Sequence, residues 1–221
     1  MSKVKGLAQK DLLGLREMTV DDINLIVDTA TSMKEVLARP VPKVPALLGK
    51  SICLLFYEAS TRTRTSFDSA AKVLSANTTN IAVSTSSVVK GETLIDTAKN
   101  IEAMGHQAIV IRHNMSGAPH LIAKNVAASV INAGDGFDEH PTQGLLDIFT
   151  MVEKKGPLKG KKVVIVDDVV STGRTIRVVQ EIMTMAKAET VGAVAVLKQG
   201  EKEDEIEIPF TNLGNLPLFQ T

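Results

Sequence analysis

Ser51-Ile52-Cys53-Leu54-Leu55-Phe56-Tyr57-Glu58-Ala59-Ser60-Thr61-Arg62-Thr63-Arg64-Thr65-Ser66-Phe67 changes character halfway along. The first part is an unbroken apolar run, the pattern of a strand with both faces covered, as strands of parallel sheets are. The second part is polar, rich in hydroxyls and arginines, and the pattern predicts a helix from about Thr63 to Leu74. A strand that hands directly to a helix begins a strand–helix–strand unit. Such units in series give a parallel sheet with helices on its faces.

The same alternation extends in both directions. Toward the N-terminus, residues 11–38 read as helices. Thr19-Val20-Asp21-Asp22 opens the second of them with a hydroxyl N-cap and acids in the first turn, and Pro40, Pro42 and Pro45 end the pattern. Toward the C-terminus come a strand near Asn80–Val83, a helix over Glu92–Met104, a strand at Ala108–Arg112, a short helix around Leu121–Asn125 and a strand at Ser129–Asn132. Pro141 then opens a helix, as a first-turn proline does, and it runs to about Lys155. Lys154-Lys155-Gly156-Pro157-Leu158-Lys159-Gly160 is short, charged and broken by Gly and Pro, a boundary signal. Beyond it the pattern predicts a strand at Lys162–Val166, a helix at Thr175–Ala186 and a strand at Val191–Leu197. The acidic stretch Gly200–Glu207 reads as a solvated loop, and the apolar tail Ile208–Phe219 as an edge strand or a docked arm. The expected organisation is α/β: a domain over residues 1–155 built on a parallel sheet with helices on both faces, then a smaller α/β segment over 156–221.

Lys plus Arg and Asp plus Glu each total 25 in 221 residues, a formal net charge of zero. That balance speaks against a general nucleic-acid binder and leaves room for a local basic pocket. The one cysteine, Cys53, builds neither a disulfide framework nor a cysteine metal site. It reads as a small buried hydrophobe in a reducing, cytoplasmic setting. No apolar run reaches the roughly 18 residues of a membrane span. Met1-Ser2-Lys3-Val4-Lys5 leads into polar sequence rather than a signal peptide.

Chemistry is concentrated at predicted strand ends, where ligands of parallel sheets bind. Ser60, Thr61, Arg62 and Thr63 fall where the first strand gives way to a helix. A helix N-terminus there supplies free N–H groups and a dipole that favours an anion. The hydroxyls add short donors, and Arg62 adds a forked, permanent cation that matches phosphate oxygens. Arg112-His113-Asn114 follows a second strand. Asp135-Gly136-Phe137-Asp138-Glu139-His140-Pro141-Thr142-Gln143 follows a third. Three strand ends thus bring hydroxyls and arginine, a second arginine, and His140 with Gln143 to one edge of the sheet, where His140 is suited to donate to a carbonyl oxygen.

These residues carry a family resemblance. Ser60–Arg64 (Ser-Thr-Arg-Thr-Arg), Lys90–Leu94 (Lys-Gly-Glu-Thr-Leu), Ile111-Arg112-His113 and His140-Pro141-Thr142-Gln143 resemble aspartate carbamoyltransferases, in order and over about residues 1–162. Ser84–Glu92 and Ile131–Gly136 favour the aspartate over the ornithine branch. The resemblance implies that Ser60, Thr61, Arg62 and Thr63 hold the phosphate of carbamoyl phosphate. It implies that Arg112 bridges phosphate and carbonyl oxygen, His140 polarises that carbonyl and Gln143 fixes the carbamoyl amine. It further implies carbamoyl transfer to L-aspartate, a step of pyrimidine biosynthesis, with no metal and no organic cofactor. Ser86 and Lys90 would reach the site of a neighbouring subunit in a homotrimer with shared sites.

After Lys162, members of that family continue into a second domain that supplies arginines for the aspartate carboxylates. This sequence turns instead to Val163-Val164-Ile165-Val166-Asp167-Asp168-Val169-Val170-Ser171-Thr172-Gly173-Arg174-Thr175. That run resembles the ribose-phosphate signature of type I phosphoribosyltransferases. The likeness implies that Asp167 and Asp168 bind ribose hydroxyls, and that Ser171, Thr172, Gly173, Arg174 and Thr175 cradle a 5-phosphate through backbone N–H groups. The chain reads as a chimera of two α/β families joined near Lys155–Lys162. Three functions follow as expectations: carbamoyl transfer, carbamoyl phosphate or phosphate binding without turnover, and phosphoribosyl pyrophosphate binding.

Overall fold

A computed structural model describes residues 6–82, 92–136, 138–200 and 206–217. Two compact units divide it, Met1–Leu146 and Asp147–Thr221.

In the first unit the chain runs α1 (Val20–Leu37), β1 (Ser51–Phe56), α2 (Thr61–Val73), β2 (Asn77–Ala82), α3 (Leu94–Ala103), β3 (Ala108–His113), α4 (Ala118–Ala123) and β4 (Ser129–Asp135). A further helix, α5 (Pro141–Lys155), spans the division between the units. The four strands form one parallel sheet in the order β2-β1-β3-β4. Side chains alternate across it, because successive residues of a strand point to opposite faces. Cys53, Leu55, Ile109, Ile111 and Val130 join Ala98 and Ile101 of α3 and Ile122 of α4 in one core. Leu54, Phe56, Val110 and Ala133 form a second core with Phe67 of α2 packed against it. Both faces are therefore covered, which is why β1 is apolar from Ile52 to Phe56.

Burial in the first of these cores raises the Cys53 thiol to about 12, through desolvation of the thiolate. The thiolate is the reacting form, so a disulfide reagent at pH 8 should label the native protein negligibly and the urea-unfolded protein stoichiometrically. Rapid labelling of the native fold would contradict the burial.

Two local predictions fare differently. The Thr19 cap is present as a capping box: Asp22 N–H donates to Thr19 Oγ1 at 3.2 Å, and Thr19 N–H donates to Asp22 Oδ2 at 3.1 Å. The helix expected ahead of it is absent among the described residues. Leu12 instead makes a parallel bridge to Ile131, its N–H donating to Val130 O at 2.9 Å while Asn132 N–H donates to Leu12 O at 2.8 Å. The segment extends the β4 edge of the sheet, a long-range pairing that overrides local helical spacing.

The second unit holds β5 (Lys162–Val170), α6 (Arg174–Met185), β6 (Glu189–Gln199) and β7 (Phe210–Leu216), a parallel sheet ordered β5-β6-β7. Ile176 and Val179 of α6 pack on Ile165, Ala193 and Ala195 of one face. The opposite face leaves Val166 75 % and Leu213 78 % exposed, with Val164 and Val196 about half exposed. The tail is the edge strand β7. Strand β5 continues past the point expected from its apolar run: Asp167 and Asp168 lie within it, paired alongside β6, rather than after its end. Residues 201–205 of the acidic stretch lie outside the described residues.

Candidate anion site at the strand ends

Because β1, β3 and β4 are parallel neighbours, their C-terminal ends share one edge of the sheet. Phe56 of β1 sits beside Arg112 of β3, and Tyr57 N–H donates to Arg112 O at 2.9 Å. Three residues later Ser60 is the N-cap of α2, and no side chain caps this end of the helix. The first turn holds Thr61, Arg62 and Thr63, contains no acid, and also includes Arg64 nearby. Cations beside a helix N-terminus oppose the macrodipole. A helix that lacks an acid there and carries arginines instead sacrifices local stability, and a bound anion restores the balance. Thr61 and Arg62 are exposed, whereas Ser60 and Thr63 are half-buried.

Arg112 and His140 converge at Gly134. Opposite Arg112 the register of β3 and β4 shifts: Ile111 pairs with Asn132 and His113 with Asp135, so β4 carries an extra residue there. Bulges of this kind re-aim side chains at sheet edges. Gly134 has φ +114°, and a Cβ built on it would lie 2.6 Å from Arg112 Nη1 and 3.4 Å from His140 Cδ2. Only glycine allows that backbone and that close approach. Arg112 Nη1 donates to Ala133 O at 3.1 Å. Thr142 Oγ1 lies 3.3 Å from His140 Nδ1; with that hydroxyl donating, the ring proton is on Nε2, which is then a donor. Gln143 stands in the first turn of α5, its N–H bonded to His140 O at 2.9 Å.

A polar network underlies this pair. Asn132 and Asp135 are 0 % and 1 % exposed. His113 Nδ1 accepts from Met115 N–H at 2.9 Å, and its ring lies 4.4 Å from that of Tyr57. Burial holds the His113 pKa below the ordinary imidazole value, partly offset by the charge of Asp135. Glu139 is shifted upward, chiefly by burial, against the N–H that Leu15 donates to its Oε2 at 2.7 Å.

Glu58 Oε2 lies 3.2 Å from Arg112 Nε, an ion pair without the alignment of a hydrogen bond, and it competes for that cation. The pair is partly exposed, and such pairs are worth at most about 1 kcal/mol. Glu58→Gln should therefore tighten phosphate binding by up to about fivefold, an effect that shrinks as salt screens the pair. Titration at two ionic strengths checks this; weaker binding by the variant would refute the competition.

The structure thus brings Ser60–Thr63, Arg112, His140 and Gln143 to one edge of one sheet. Gly134, Asn132 and Asp135 had no assigned role in the sequence reading, although two glycines flanking an acid at a strand end mark a tight backbone approach. Ser86 and Lys90 lie outside the described residues. The second motif belongs to the second unit. There Asp167 is half-buried and shifted upward, mainly by desolvation, and Gly173, φ +77°, caps α6. Among the described residues no group of three His, Cys, Asp or Glu is arranged to hold a metal ion, and no helix is long and apolar enough to cross a membrane.

These features define an α/β domain whose parallel strand ends gather hydroxyls, arginines, a histidine and a glutamine at one sheet edge. Residues 10–153 match the carbamoyl-phosphate-binding domain of aspartate and ornithine carbamoyltransferases. The aspartate carbamoyltransferase catalytic subunit of Acetivibrio thermocellus is 63 % identical over 163 residues, 74 % of this chain and 52 % of that protein. The one from Heliobacterium modesticaldum is 62 % identical over 160 residues, 72 % of this chain and 51 % of the relative. The catalytic subunit of aspartate transcarbamoylase from M. jannaschii superposes with a TM-score of 0.77 at 35 % identity, covering 92 % of this chain and 68 % of that one. The Trypanosoma cruzi enzyme in complex with carbamoyl phosphate and aspartate gives 0.73 at 26 % identity, over 84 % and 56 %. The chain belongs to the aspartate/ornithine carbamoyltransferase family through its carbamoyl-phosphate-binding domain. It spans about half the length of the curated relatives it matches. Residues 122–219 also match a phosphoribosyl transferase domain. That match starts well before Val163, where the ribose-phosphate signature begins, and overlaps the first over β4 and most of α5.

Proposed function

We propose that the first unit binds carbamoyl phosphate and presents its carbonyl for transfer to the amine of L-aspartate. The observation that carries this is the convergence of Arg112 and His140 over Gly134, beside the uncapped N-terminus of α2. In this reading Ser60, Thr61, Arg62 and Thr63 hold the phosphate, Arg112 spans phosphate and carbonyl oxygen, His140 donates to that oxygen, and Gln143 holds the carbamoyl amine. The amine nitrogen attacks the carbonyl carbon, negative charge grows on its oxygen, the bond to the phosphate oxygen breaks, and the nitrogen gives up a proton. Fixed cationic and N–H donors at the oxygen are what that transition state needs. Ser86 and Lys90 would come from neighbouring subunits of a homotrimer, a state that sedimentation equilibrium reads directly.

Calorimetric titration of the full chain with carbamoyl phosphate should show saturable binding, weakened about 10- to 100-fold in Arg62→Ala, the loss expected for a charged hydrogen-bonding partner. Equal affinities in the two proteins would refute the assignment of α2. Formation of carbamoyl aspartate above the Arg62→Ala background separates transfer from binding alone. Proper orientation of a second substrate is worth many powers of ten. The chain therefore turns over only as well as its own residues seat aspartate.

A second reading is favoured by the phosphoribosyl transferase match. Asp167 and Asp168 on β5, with Ser171 to Thr175 leading into α6, would bind a phosphoribosyl compound. Phosphoribosyl pyrophosphate should then raise the melting temperature, and Asp168→Asn should abolish the rise; no rise in the parent chain dismisses this reading.

A further inference from the structure

We propose that Asp135 is a positioning residue: its buried carboxylate sets His140 over Gly134, and the site thereby distinguishes carbamoyl phosphate from plain phosphate. This rests on the carbamoyl-phosphate reading above. Asp135 Oδ1 accepts from Asn132 Nδ2 at 2.9 Å and from Glu139 N–H at 3.2 Å, and Oδ2 accepts from Gly117 N–H at 2.8 Å. All three are neutral donors, so the charge is buried without a cation among these partners, an arrangement costlier than an apolar filler of the same size. What it secures is geometry. Asp135 N–H donates to Glu139 O at 3.2 Å while Glu139 N–H returns to the carboxylate, so Asp135 and Glu139, the residue before His140, are tied together from both sides. Asn132, held by Asp135 and by Leu13 O at 2.9 Å, fixes the floor: its Oδ1 accepts from Gly134 N–H at 2.8 Å. One buried pair thus holds both the glycine beneath Arg112 and Glu139, the residue that leads into His140 ahead of α5. In the proposed site α2 and Arg112 grip phosphate whether or not a carbamoyl group is attached, whereas His140 serves the carbonyl alone. Misplacing His140 should therefore cost affinity for carbamoyl phosphate and spare affinity for phosphate.

Asp135→Asn puts an amide NH₂ against an N–H donor whichever way the amide turns. Titration of the full chain with carbamoyl phosphate and with inorganic phosphate, at a temperature where circular dichroism shows both proteins folded, tests the idea. The parent chain should prefer carbamoyl phosphate, and the variant should lose about tenfold of that preference while its phosphate affinity stays within about twofold. The His140 imidazole ¹⁵N resonances should move in the ligand-free variant. A folded variant that keeps the preference overturns the proposal. A parent chain that binds phosphate but shows no preference overturns the reading beneath it, and so the two failures are distinguishable. Should Asp135→Asn not fold, Asn132→Ser, which removes the amide that donates to Asp135 and accepts from Gly134 N–H but keeps the carboxylate, should lower the preference about threefold; an unchanged preference overturns the proposal equally.

Discussion

Gly134→Ala should weaken carbamoyl phosphate binding by about 10- to 100-fold while the protein still folds, the size of one lost charge-assisted contact. The new methyl group would stand 2.6 Å from Arg112 Nη1. The guanidinium is the far end of a flexible side chain and can swing away, so the clash is relieved by emptying the position from which it would serve the ligand. The left-handed backbone at φ +114° adds strain of about 1–3 kcal/mol for any residue with a Cβ. A modest fall in melting temperature should accompany the larger loss of affinity. Binding within about threefold of the parent would show that Arg112 does not act from that spot. Gly49, also at positive φ but with open space around it, is the control: alanine there should cost stability without touching the ligand.

Ile109→Ala should destabilise the first unit by about 3 kcal/mol, roughly 10 °C in melting temperature. Ile109 is 0 % exposed in β3, which lies between β1 and β4, and it belongs to the core formed with α3 and α4 on that face. Its truncation leaves a cavity with no room to collapse. Leu37, 58 % exposed at the end of α1, should change stability by less than about 0.5 kcal/mol on the same substitution. Urea unfolding followed by circular dichroism compares them, and equal midpoints would mean that β3 is not the core strand described here.

What was legible in the sequence divides along a physical line. The strands β1 and β3 announce themselves because both faces are buried and the runs Ile52–Phe56 and Ala108–Ile111 must be apolar. The end of β1 announces a site because hydroxyls and arginines replace the acids that a helix start normally attracts. Pairing between distant segments was not legible. The segment from residue 11 reads as helix, yet Leu12 joins the β4 edge. Asp167 and Asp168 resemble the end of a strand, yet pairing with β6 carries them inside one. The roles of Gly134, Asn132 and Asp135 depend on a bulge, an outcome of register between two strands that no local pattern encodes. The family likeness was read from motifs at the strand ends. Those motifs do not give the contacts that orient them.

The bare face of the β5-β6-β7 sheet bears on handling. Val166 and Leu213 put hydrocarbon into water beside two strand edges that are unpaired among the described residues, the combination from which precipitation starts. Salting-out ions such as sulfate and phosphate strengthen that attraction. Phosphate is also the anion the first unit is proposed to hold. In a concentrated phosphate buffer, then, one ion works on the protein twice over. It would compete at the proposed site in the first unit and drive the second toward the pellet, and a Good's buffer of low ionic strength is the better medium for both halves.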